Sequence, residues 1–192
     1  MQTLGLGGPE ERSESRLESL FWPAVKSDID VDYLTSRGFW LCFILAVITL
    51  ASSLFSGAYA GVFDAVFFWL GGTGVRQRSR VAAVSVFAVY FLVTVNILRF
   101  GVAAGGSGSV VRVFACALLF ANVRAVWIAS NWRKSGKADE SPTRFESSLA
   151  DKISDWIPSR MWPRLKILFY AFAVLEIGGM VAILSNRFRS EL

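Results

Sequence analysis

The chain has 192 residues, of which 54% are hydrophobic and only 18% charged, with a net charge of +5. An average globular chain carries roughly a quarter charged residues, so this composition argues against a water-soluble body and for helices in lipid. There is no histidine, which excludes Ser-His and Cys-His catalysis and the commonest metal and haem ligand; neither a catalytic residue nor a metal site is expected.

The two cysteines, Cys42 and Cys116, each lie in an apolar tract. They read as small buried hydrophobes and not as a disulfide framework. The basic residues sit beside apolar runs, so anionic lipid headgroups explain the positive charge better than nucleic acid does. No cofactor is implied.

Residues 1–38 form a polar segment, expected on the cytoplasmic side. No charged start leads into a short apolar stretch with a cleavage site, so no signal peptide is read. A short helix is expected through "SESRLESLF", ending before Pro23. In "SDIDVDYL", Asp28, Asp30 and Asp32 alternate like the start of a calcium loop. Tyr33 occupies the position of the turn glycine and Phe39 that of the closing glutamate, so the segment reads as a solvated acidic stretch or short edge strand.

A membrane domain is expected over 39–130, with spans at about 39–55, 59–72, 81–100 and 110–130. A crossing takes about 20 residues, so the run at 59–72 is short. "FFWLGGTGVRQRSR", residues 67–80, breaks the dinucleotide-binding spacing at Gln77 and lacks the G-K-[ST] of a P-loop. Its glycines are expected to form a tight turn at the bilayer surface. Arg76, Arg78 and Arg80 would then lie among headgroup phosphates, as would Arg133 and Lys134 after the fourth span. Arg99 and Arg112 flank the glycine-rich loop at the other side.

The connection 131–164 carries its own helix signal. Thr143 and Glu146 have capping-box spacing, and Phe145, Leu149, Ile153, Trp156 and Ile157 share one helical face. An amphipathic helix over about 143–157 is predicted, ended by Pro158, lying on the membrane surface or docked onto the spans or a partner. A last span covers 165–184 and a tail 185–192. The tail ends in "RSEL", a partial match to luminal retention signals.

The fold class is therefore all-α: a polytopic transmembrane helical bundle of four to five spans with a cytoplasmic amphipathic helix. Lysines and arginines gather on one side if all five runs cross and the N-terminus is cytoplasmic. Trp40, Trp69, Trp127, Trp132, Trp156 and Trp162 then also cluster near one interface. The rival arrangement has four crossings and a re-entrant hairpin at 56–72. A bacterial inner membrane or a plasma membrane would suit either.

Ionisable residues inside spans are candidate sites because they are expensive there. Asp64, Arg124 and Glu176 fall at depths of about 12, 9 and 16 Å at 1.5 Å per residue, so Arg124 is expected to pair with Glu176, with Asp64 as second partner. Asn96 and Asn122 are expected to add hydrogen bonds between helices. Gly178 and Ala182 have the spacing that lets helices approach closely. Two functions fit: a non-enzymatic structural or accessory subunit contacting lipid, itself or other membrane subunits, and a small transporter or channel component using Asp64, Arg124 and Glu176. Labelling single cysteines introduced at positions 78 and 134 with an impermeant thiol reagent is expected to place both on the same side; opposite sides would overturn the five-crossing count.

Overall fold

The structure, a computed structural model, describes residues 25, 28–57, 59–100, 107–134 and 149–189. The expected helix before Pro23, the first six residues of the expected amphipathic helix, the glycine-rich loop 101–106 and the last three residues lie outside them. Among the described residues the chain is all-helical, with five α-helices: α1 Asp28–Ser56, α2 Ala60–Arg76, α3 Arg80–Phe100, α4 Ser107–Lys134 and α5 Leu149–Arg189. Four of them, all but α2, are long and apolar enough to cross a membrane.

The helices alternate in direction. Gly61 at the start of α2 lies against Ser53 near the end of α1, and Gly72 near the end of α2 lies against Cys42 and Phe39. Tyr90 of α3 meets Phe68 of α2, and Ala82 lies beside Gly74. Arg80 at the start of α3 reaches Asn131 at the end of α4. Phe169 of α5 stacks on Phe67 of α2, with ring centroids 5.4 Å apart. The α1 start, the α2–α3 turn, the α4 end and the α5 start therefore share one end, called the basic end here. The α1–α2 turn at Gly57 marks the opposite end. Residues 60–76 form one continuous helix joining the two ends, so the re-entrant hairpin at 56–72 is not formed.

α2 has 17 residues, about 26 Å at 1.5 Å per residue. Short as it is, it occupies the middle of the bundle, and every residue from Leu70 to Arg76 is buried. The expected turn glycines are inside this helix, which corrects the surface-turn expectation. A side chain at Gly71 would strike Val86 of α3 and press on Phe169 of α5. One at Gly74 would strike Ala82 of α3 and the Trp162 ring of α5, and one at Gly72 would come within 2.9 Å of the Cys42 Cβ of α1. Three glycines thus let three helices approach a single backbone. Close approach of this kind brings many atoms of neighbouring helices within dispersion range.

The turn is made by Gln77, Arg78 and Ser79. Gln77 N–H donates to Thr73 O at 3.1 Å and Ser79 N–H to Gly74 O at 3.0 Å, which satisfies carbonyls left open at the helix end. Arg78 takes the left-handed conformation with φ 56°, a position more often filled by glycine. The Ser79 hydroxyl then accepts from Ala82 N–H and starts α3.

Two further expectations are overturned. The acidic stretch at Asp28–Asp32 is not extended but forms the first turns of α1, with Asp32 buried and Asp28 and Asp30 half-buried. Pro158 does not end a helix either: α5 runs through Pro158 and Pro163 as one element of 41 residues. Each proline removes one backbone donor and disturbs the turn before it. Trp162 lies at the basic end, buried between Gly74 and Phe169.

The packing role of the glycines has a direct check. Gly74→Val is expected to destabilise the purified protein by about 1–3 kcal/mol through overpacking, read as a lower melting temperature in detergent. Gly178→Val, where no atom lies within 4 Å of an added Cβ, is expected to leave the melting temperature unchanged.

Candidate functional site

Polar side chains collect at two levels of the bundle. At the basic end the centre is Arg76, the last residue of α2, only 2% exposed. Its Nη1 lies 2.7 Å from Asp32 Oδ1 of α1 and its Nη2 2.7 Å from Asp155 Oδ1 of α5. Nε also donates to Asp155 Oδ1 at 2.8 Å, and Nη1 to the Asp32 carbonyl at 2.9 Å and to Thr35 Oγ1 at 3.3 Å. All three guanidinium nitrogens are engaged. A planar fork of donors is the group suited to two carboxylates at once.

Arg76 is therefore no headgroup ligand. Its neighbours also reach other helices. Arg78 Nη1 lies 3.3 Å from Asp28 Oδ1, with the arginine side chain 7% exposed. The Arg80 guanidinium sits 4.8 Å from the centre of the Trp127 ring and donates to Asn131 Oδ1 at 2.9 Å. The three arginines clip α1, α5 and α4 onto the α2–α3 turn. The side chains of Arg133 and Lys134 lie outside the described residues.

The second level lies toward the Gly57 end. A cavity of about 510 Å³ opens there between all five helices. Its polar lining is Thr49 and Ser52 of α1, Asp64 of α2, Tyr90 of α3 and Arg112 of α4, and the rest is mainly apolar, including Phe68 and Met180. Glu176 of α5 lies beside Asp64. Beside the cavity, the Cys116 thiol donates to Thr94 Oγ1 at 3.6 Å, and Thr94 donates in turn to the Tyr90 carbonyl at 2.8 Å.

The expected Arg124–Glu176 pair is not formed. Asn122 meets Gly38, which lies level with Gly72 of α2 through Phe39. Asp64 is eight residues from Gly72 toward the Gly57 end, and Arg124 is two residues past Asn122 the other way. At 1.5 Å per residue this separates Arg124 from the Asp64–Glu176 pair by about 15 Å along the bundle. The basic residue at the carboxyl level is Arg112, which the sequence places beside the glycine-rich loop. Its signal was present in the alternation of the helices, since residues near the start of α4 must lie level with the start of α2.

The two asparagines also behave differently from expectation. Asn122 Nδ2 donates within its own helix, to the Leu118 carbonyl at 3.3 Å. Its Oδ1 and that of Asn96 are buried and accept no hydrogen bond among the described residues. Among the described residues no three Cys, Asp or Glu side chains converge in a metal-binding group. No protein-family model, curated protein or solved structure matches the chain.

Losing Arg76 would strand two carboxylates at a buried site. Arg76→Leu is expected to cost about 3–5 kcal/mol, the range for breaking a buried ion pair from one side, seen as loss of the folded species or a large fall in melting temperature. Replacing Asp32 and Asp155 by Asn as well as Arg76 by Leu is expected to recover part of that loss; no recovery would show that the charges are not what the position requires.

Proposed function

We propose that the chain is a multi-pass integral membrane protein with a non-enzymatic task, a structural or accessory subunit of a membrane assembly. The observation that carries this reading is the outer face of α5. Ile167, Val174 and Leu175 are each more than 70% exposed, and Gly178 and Gly179 face open space. α1 adds Ile44, Ile48 and Leu54. Contiguous apolar surface of this kind belongs in lipid or against another apolar helix.

The basic end and the N-terminus are cytoplasmic in this reading, following the distribution of lysine and arginine. Anionic lipids and other membrane subunits, or further copies of the chain, are the partners, and nucleic acid is not. A bacterial inner membrane or a plasma membrane is the setting. Intramembrane chemistry on a nucleophile has no support from a chain without histidine.

A second reading, a small transporter or channel component, is supported by one observation, the cavity lined by Asp64 and Arg112. In that reading Arg112 takes the role expected of Arg124.

Membrane fractionation followed by purification in a mild detergent tests the first reading. The chain is expected in the membrane pellet, and co-purifying membrane proteins or a homo-oligomer are expected by mass spectrometry. A folded, monodisperse chain left in the supernatant without surfactant would end both readings; a solitary monomer in detergent and in native nanodiscs would end the subunit reading alone.

A further inference from the structure

The cavity at the Gly57 end is graded along the bundle axis. Its charged lining lies near the helix ends, with Ser52 close by: Ser52 is four residues before the end of α1, Asp64 four residues into α2 and Arg112 five residues into α4. At 1.5 Å per residue that is a depth of about 6–8 Å. Leu45, Phe68 and Tyr90 line it farther in, at about 12–17 Å by the same measure. Ile48 of α1 and Val111 of α4 belong to the lining and are each more than half exposed. The cavity therefore opens sideways, past apolar side chains, onto the outer surface of the bundle.

Two charged side chains of opposite sign share the outer level. Asp64 and Arg112 are both half-buried, and among the described residues no ion pair joins them. A ligand that is only a cation leaves Arg112 unmatched, and one that is only an anion leaves Asp64 unmatched, each in a poorly solvated wall. A ligand bearing both signs answers both. The guanidinium presents paired donors that suit a phosphate. Asp64, with the hydroxyl oxygens of Ser52 and Thr49 on α1, is a set of acceptors that suits an ammonium carrying N–H donors. Glu176 of α5 lies beside Asp64 and adds a second carboxyl on that side. A quaternary ammonium has no N–H and is held by aromatic faces instead, but the rings of Phe68 and Tyr90 are buried at the inner level.

We infer that this cavity holds one zwitterionic glycerophospholipid with a primary ammonium headgroup, of the phosphatidylethanolamine type. The phosphate lies toward Arg112 and the ammonium toward Asp64. One acyl chain enters toward Leu45 and Phe68, and the other leaves past Ile48 and Val111. The volume of about 510 Å³ is that of a small-molecule pocket; it takes the headgroup and the first part of a chain, and the rest of the lipid stays in the bilayer. The head lies at the depth of the charged level and the tail at the apolar one, as in a leaflet. The inference rests on the integral-membrane reading alone and holds for a subunit and for a transporter.

The test uses the full chain, purified and delipidated in neutral detergent, with three phospholipids of identical acyl chains: phosphatidylethanolamine, phosphatidylcholine and phosphatidylglycerol. Native mass spectrometry counts the lipids retained. One phosphatidylethanolamine per chain is expected, bound about tenfold or more tighter than either of the others, the scale of one charge-assisted hydrogen bond. Asp64→Asn is expected to bring it down to the level of phosphatidylcholine, and Arg112→Gln to weaken it by about tenfold or more on the same scale. Val93→Trp, which fills the cavity without a change of charge, is expected to abolish retention and covers the case in which a charge variant fails to fold. Soluble glycerophosphoethanolamine and free leucine are expected not to bind saturably.

Equal retention of the three lipids, or preferential retention of phosphatidylglycerol, would overturn the inference. So would a preference that survives Asp64→Asn, Arg112→Gln or Val93→Trp in folded protein, or saturable binding of the soluble headgroup or of leucine. A chain that pellets with membranes but shows no lipid preference loses this inference only, whereas a folded chain in the supernatant without surfactant loses the membrane reading itself.

Discussion

A guanidinium in a buried place sets the terms for this fold. Arg76 lies at the junction of α1, α2 and α5, and its three nitrogens are held by Asp32, Asp155 and the Asp32 carbonyl. A charge placed there without partners would cost several kcal/mol. The helices that carry Asp32 and Asp155 therefore have to arrive at one height and one angle. Apolar side chains tolerate sliding past one another, whereas a bidentate ion pair does not. The register of the bundle is set at this end, and the aromatic stack of Phe67, Phe169 and Trp162 just beyond it follows from that register.

The backbone of α2 makes such a junction reachable. Charged groups on three helices meet only if the helices come close, and the glycines before Arg76 remove the side chains that would hold them apart. Farther along, α2 carries Asp64 and Phe68 instead, and these line the cavity. One short helix thus carries both features, close packing on small residues before Arg76 and a cavity beside Asp64 and Phe68.

The helical class and the four long apolar runs were legible because hydrophobic length depends on local composition. The contacts were less so. Asp28, Asp30 and Asp32 alternate, which suggests a strand or a metal loop, yet Asp28 and Asp32 are also four apart and so share a helical face toward Arg78 and Arg76. "GGTGVR" looks like a turn by composition, but glycine serves equally for close packing, and only the partners distinguish the two uses. Pro158 looked like a stop because a proline usually is one. The helix continues because Pro158 is buried in the bundle and held on both sides of it, by Asp155 before and Trp162 after. Arg124 and Glu176 share a depth only when it is counted from span ends set by composition, and a shift of a few residues at each end separates them.

The sequence positions of the three ions have a consequence for how the protein is made. Asp32 and Arg76 belong to the first two helices, and Asp155 emerges from the ribosome only after two more have been completed. α2 has 17 residues and ends in a permanent charge, so by itself it is poorly suited to apolar surroundings. In a hairpin with α1 the guanidinium is already matched by Asp32, which lowers the cost of burying it. Asp155 then adds its contact last, so the nascent chain passes through a four-helix stage with one face of the guanidinium still waiting for its second carboxylate.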